Sequence, residues 1–125
     1  MTTTQIERRE WPSFFDGFTR QHQGWIVTLE VFQPEMGAKL EEQDLVLVGV
    51  TAELSSTDKD KIEIEIMIGD KPDRHITHTV LDPVEVNLEH TEEGANHALA
   101  IKGADDAMTL LCLRSTAKTS TAEAA

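Results

Sequence analysis

At 125 residues the chain has room for one domain with a core of its own and too little for two ordinary ones. Its composition, 39% apolar and 27% charged, is that of a globular protein, and no apolar run approaches the ~18 residues of a membrane-spanning helix. A formal charge of -12, from 23 acidic against 11 basic residues spread along the chain, repels phosphate backbones and anionic lipid, so neither nucleic acid nor membrane is expected as a partner.

Residues 1–8 are polar, threonine-rich and without period, and are expected to form a disordered arm ahead of a single domain over residues 9–115. They lack the basic-then-apolar order of a secretory signal. Together with a lone cysteine, Cys112, which excludes an internal disulfide or a cysteine-based zinc site, this points to the cytoplasm.

Trp11, Phe14, Phe15 and Phe18 recur at i, i+3, i+4 and i+7, which puts them on one face of a helix over about residues 13–22. Pro12 suits the helix start, Ser13 and Asp16 read as a capping pair, and Gly24 as a stop. Gly17, inside the helix, suggests close approach to a sheet, and His22 a favourable position against the C-terminal dipole. A helix this short is marginal alone in water, so its aromatic face must pack on the β-rich remainder.

Residues 25–32 form the first predicted strand, with Trp25, Val27, Leu29 and Val31 on one face. Residues 33–44 read as a long connection, followed by the nearly continuous apolar run 45–54, in which Gly49 suggests a bulge. Residues 61–68 alternate, with Ile62, Ile64, Ile66 and Ile68 inward and Glu63 and Glu65 outward, and pair with the preceding run as a hairpin. Further strands fall near 75–80, 84–90, 97–102 and 107–114, and the last, apolar on both faces, is expected in the middle of the sheet. Residues 116–125 are small and polar and are expected to be a disordered tail. The result is a mainly β, α+β chain: a short N-terminal aromatic helix packed on a curved, mostly antiparallel sheet or small barrel of about seven strands.

The chemistry-bearing residues are few. His75 and His78 lie three apart on a strand and point to opposite faces, which makes them poor joint ligands. His90 and His97 flank a hairpin loop, with Glu92 and Glu93 between them, and form the one constellation with metal-ligand character. Cys112 shares a strand face with Met108 and Leu110 and reads as a small buried hydrophobe. Glu63, Glu65, Glu85 and Glu89 read as the wet face of the sheet. No clustered nucleophile, base and orienting group is visible, so no catalytic residue, no cofactor and no enzymatic activity are expected.

The block Arg9-Glu10-Trp11-Pro12-Ser13-Phe14-Phe15-Asp16-x-Phe18, followed by His22-x-Gly24-Trp25-x-Val27-Thr28-Leu29-Glu30, resembles a family of small bacterial proteins known as a domain of unknown function. The resemblance runs through Thr91-Glu92-Glu93-Gly94 to Leu110-Leu111-Cys112-Leu113-Arg114-Ser115 and implies a single bacterial domain with variable ends and no transferable activity. The run Gly24-Trp25-Ile26-Val27-Thr28-Leu29 behind a short helix is also similar to Sm-like and other SH3-type small barrels. A non-enzymatic module that binds a protein partner is the expected function, with Met36 and Leu40 in the 33–44 connection as contact candidates. The alternatives are a small metal-binding protein or enzyme using the His90 and His97 hairpin, and a homo-oligomer paired edge to edge through residues 61–68.

Overall fold

The computed structural model describes residues 2–35, 37–54, 61–71, 74–91 and 96–114, with the side chains at 38–43, 54, 70 and 96 outside that description. The elements in chain order are β1 (Thr2–Ile6), a single 3-10 turn (Arg8–Glu10), α1 (Trp11–His22), β2 (Ile26–Gln33), β3 (Gly37–Leu54), β4 (Ile62–Lys71), β5 (Arg74–Leu81), β6 (Pro83–His90), β7 (Asn96–Gly103) and β8 (Met108–Arg114). All strand pairings among the described residues are antiparallel, and the sheet runs in the order β1-β6-β7-β8-β2-β3-β4-β5. A helix on an antiparallel sheet is the expected α+β fold, with eight described strands in place of about seven. The additional one is β1: residues 2–6, expected as part of a disordered arm, pair with β6 from Thr2 opposite His90 to Ile6 opposite Val86. Its β-branched threonines suit an edge strand, a role that polarity alone concealed.

Among the described residues the sheet has two free edges, β1 and β5, and therefore is not closed. This corrects the barrel reading and removes the SH3-type likeness. Closure would require those two strands to pair; instead the chain turns at Asp82 straight from β5 into β6. The sheet still curls strongly, since β4 touches β6 and β5 touches β7, and the His78 Nε2 and Thr109 Oγ1 atoms meet at 3.4 Å across the fold.

The long strand β3 joins the two halves. Its first part pairs with β2, from Gly37 opposite Gln33 to Val46 opposite Ile26, and its second part pairs with β4, from Leu47 to Leu54. The expected long connection at 33–44 is thus a tight turn followed by strand: Pro34 and Glu35 form the turn and Gly37, at φ +75°, launches β3. The polar, helix-prone residues 39–43 are recruited by the ladder of β2, a case of tertiary pairing overriding local propensity. The bulge expected at Gly49 is present as a register shift between Leu47 and Gly49.

Helix α1 begins with Pro12 in its first turn, but its N-cap is Glu10 with no side-chain cap. Ser13 Oγ donates to the Glu10 carbonyl, and Asp16 pairs with Arg20 one turn on, at 2.7 Å, so the expected capping pair does not form. A Cβ added at Gly17 would meet nothing within 4 Å, so that glycine does not mark a close approach. Trp11, Phe15, Phe18 and His22 form the buried stripe, while Phe14 is half-buried at its side. Val27, Leu29, Leu47, Ile64, Ile66, Val86 and Leu99, each at most 1% exposed, share one core cluster with the stripe. The face of β8 that carries Met108, Leu110 and Cys112, expected to be buried, points outward: β8 buries Thr109, Leu111 and Leu113 instead. An unbroken apolar run carries no parity, so its sequence could not say which face is inside.

Candidate functional site: a cleft along a free strand edge

Two turns and one strand edge build a concavity. Strand β5 is paired with β4 on one side, and no strand lies on its other side among the described residues. Its alternate residues Ile76, His78 and Val80 stand opposite Ile68, Ile66 and Ile64 and point into the fold, whereas Thr77, Thr79 and Leu81 point out. All four consecutive residues from His78 to Leu81 nevertheless border a cleft of about 200 Å³. Consecutive residues of a strand, whose side chains point to opposite faces, border one cavity where it runs beside the strand's edge.

The opposite wall is the turn between β7 and β8. Gly103 N–H donates to the Ala107 carbonyl at 2.9 Å, and Asp106 N–H donates to the Gly103 carbonyl at 3.0 Å. Asp105 Oδ1 accepts from Ala107 N–H at 3.1 Å, and Ala104 N–H ties the turn to the Asp82 carbonyl at 3.0 Å. The space at Gly103 is full, because a Cβ there would lie 2.8 Å from Asp105 Oδ1. Val31 and the buried Thr109 complete the lining, and Gln33 leads it into a shallower hollow of about 420 Å³ beside Pro34, Glu35 and Asp106.

The mouth is acidic. Asp106 is bridged by Lys102 at 3.6 Å in an exposed pair worth little, while Glu35 and Asp105 make no ion pair among the described residues. Apolar surface sits on the rim as well, since Leu81 is 67% and Val84 50% exposed. This arrangement offers backbone hydrogen-bonding groups, a few apolar contacts and negative charge.

The sequence-based site residues fall elsewhere. His90 Nε2 lies 3.2 Å from Thr4 Oγ1 and His97 is exposed, while Glu92 and Glu93 lie outside the described residues. Among the described residues no group of three His, Cys, Asp or Glu side chains is placed to hold a metal ion. Met36 also lies outside the described residues, and Leu40 is described only by its backbone, opposite Glu30. The tail at 116–125 is likewise outside them. His75 and His78 do diverge as expected, His75 outward beside the Lys71 carbonyl and His78 inward to Thr109. Edge pairing through residues 61–68 is ruled out, because β4 is flanked on both sides by β3 and β5. The cleft residues Thr109, Gln33 and Asp105 carried no signal in the sequence, since only the strand order makes β5 an edge.

An open, curled antiparallel sheet with a helix packed on β3 and a cleft beside one free edge defines an α+β protein. The chain belongs to a family of unknown function, DUF5335, whose model matches residues 2–122. No curated protein and no solved structure matches it. Among the described residues no helix is long and apolar enough to cross a membrane.

Proposed function

We propose that the protein is a non-enzymatic protein-binding module that receives its partner at the cleft beside β5. The observation that carries this is the position of the cleft: it lies along a strand edge and beside the β7–β8 turn, where a polypeptide can dock. The acidic mouth and the chain's charge of -12 favour a partner with basic character and disfavour nucleic acid. The resemblance of the opening block adds that the module is bacterial, and a lone cysteine suits a cytoplasmic setting.

Random peptides displayed on phage and selected on the immobilised protein provide the test. Retained peptides are expected to lose binding on Ala107→Trp, which fills the cleft, in a variant whose thermal melt matches the parent. Peptides indifferent to Ala107→Trp, or no peptide retained above a blank surface, overturn the proposal.

A further inference from the structure

Independently of the cleft, we infer that the outward face of β2, β8 and β7 docks an amphipathic helix of a partner protein, with the apolar stripe of that helix on Met108, Leu110 and Ala100 and its lysines or arginines at Glu30 and Glu89.

This face is apolar where the outward face of a sheet is ordinarily wet. Strand β4 keeps the usual alternation, with Glu63 and Glu65 standing between the buried Ile64, Ile66 and Ile68. Strand β8 does not: it buries Thr109, Leu111 and Leu113 and turns the half-buried Met108, Leu110 and Cys112 outward. The ladders set Met108 beside Phe32, which is 37% exposed, Leu110 beside Ala100, and Cys112 beside Ala98. Phe32, Met108, Leu110 and Cys112 neither belong to the core cluster nor pack against it. Helix α1 lies on the other face, since Trp11, Phe15 and Phe18 share that cluster with Leu29 and Leu111. A strand apolar on both faces belongs to a sheet covered on both, and among the described residues only one face is covered.

The backbone selects a helical occupant. Strands β2, β8 and β7 each have a strand on either side, so their main-chain groups are spent on the ladders and none is offered to an incoming segment. An occupant must satisfy its own backbone groups, as a helix does. Size agrees. Glu30 and Glu89 stand on strands three spacings apart, about 14 Å, and a helix with its side chains is roughly 10–12 Å across. Along the strands the strip runs from Phe32 to Ile26, about 20 Å, the length of three to four helical turns.

Charge selects the partner. Glu89 lies opposite Ala98 and Glu30 opposite Leu110, so the strip has a carboxylate on each flank. Both act on Cys112 between them, adding to the effect of burial on its thiol, and neither is in an ion pair among the described residues. Cations on the two flanks of a helix meet them. A second copy of the chain would instead set these carboxylates against their own counterparts, with a charge of -12 on each protomer. Residues 116–125 hold no apolar side chain larger than alanine with which to cover the face.

The test is a phage library on a helical scaffold of about four turns, selected on the immobilised protein, with the retained helices resynthesised. They are expected to bind the Ala107→Trp variant as they bind the parent, to slow the reaction of Cys112 with a thiol reagent at least fivefold at saturation, and to bind Leu110→Asp at least tenfold more weakly. The Glu30→Gln, Glu89→Gln double variant is expected to cost about tenfold for a helix with cationic flanks and little for the same helix with norleucine there. No helix retained above a blank surface, or retained helices that leave the Cys112 rate unchanged, overturn the docking surface. That rate is read on the parent chain, so it decides even where Leu110→Asp does not fold. Affinity indifferent to the double variant overturns the charge assignment. A dimer seen by sedimentation without peptide, in which Cys112 is protected as concentration rises, gives the face to a second copy and overturns the inference as well.

Discussion

The hydroxyl of Thr19 serves both backbone groups of Val50: Oγ1 accepts the Val50 N–H at 2.9 Å and donates to the Val50 carbonyl at 3.0 Å. Strand β2 ends its pairing with β3 near this point, where Gly24 N–H and the Trp25 carbonyl take the two groups of Leu47. Beyond it, a helical side chain substitutes for a neighbouring strand. Gly49 permits the approach, because a Cβ there would come within 3.2 Å of Thr19 Cγ2.

Thr19→Val keeps the shape and removes the hydroxyl, leaving both Val50 groups unpaired. A loss of about 1–3 kcal/mol in urea unfolding is expected, with Thr19→Ser within about 1 kcal/mol of the parent. A loss confined to Thr19→Ser, with Thr19→Val like the parent, would show that the methyl and not the hydroxyl matters.

Phe15 is 0% exposed and sits edge-on to the half-buried Phe14, with ring centroids 5.2 Å apart. Phe15→Ala is expected to cost about 3–5 kcal/mol, and Phe14→Ala less than half of that, because its site is already partly open to water. Thermal melts of the two variants side by side check the order.

His22 is 2% exposed, between the rings of Phe18 at 4.3 Å and Trp25 at 4.5 Å. Burial lowers its pKa below the ordinary 6.5, while the bond from Nδ1–H to the Phe18 carbonyl, at 2.8 Å, acts in the opposite direction and is the smaller effect. The histidine is thus held neutral rather than as a cation on the helix dipole. The unfolded chain takes up the proton first, so this stabilisation is complete above the unfolded value and is lost as pH falls through it toward the folded one. Between about pH 8 and about pH 5.5 the urea midpoint of the parent is expected to fall further than that of His22→Phe. Parallel slopes would place the proton uptake elsewhere.

Cys112 lies on the outward face of β8, opposite Thr28 and Ala98. Burial pushes its thiol pKa up, and the carboxylates of Glu30 and Glu89 push it further. Its reaction with a thiol reagent at mildly alkaline pH is expected to be slower than that of free cysteine, and faster in the Glu30→Gln, Glu89→Gln double variant. Added salt, which screens both carboxylates, is expected to act in the same direction.

Periodicity was a good guide wherever one face of an element differs clearly from the other. The aromatic spacing from Trp11 to Phe18 located α1, and the alternation from Ile62 to Ile68 located β4 and its inward face. Where both faces are alike it fails: β8 lies inside the sheet as expected, but it buries Leu111 and not Leu110. Polar strands were missed for the converse reason. Thr2–Ile6 and the start of β3 are held by backbone pairing with β6 and β2, which leaves no apolar pattern to read. The cleft depends on which strand ends the sheet, a property of long-range order that no local stretch encodes.

The centre of the sheet is closed by strands from opposite ends of the chain: β2, whose residue Ile26 stands opposite Arg114, receives β8 on the side away from β3. During synthesis β2 emerges early and then waits for the last described strand, with Val27, Leu29 and Val31 lacking their partners Leu113, Leu111 and Thr109. The nascent chain therefore carries a half-built sheet with an apolar edge until Met108–Arg114 has emerged, which is the interval in which a holding chaperone has something to hold. A stalled or prematurely terminated product lacking Met108–Arg114 loses the strand that bridges β7 and β2, and with it the continuous hydrogen-bonded ladder between the two halves of the sheet.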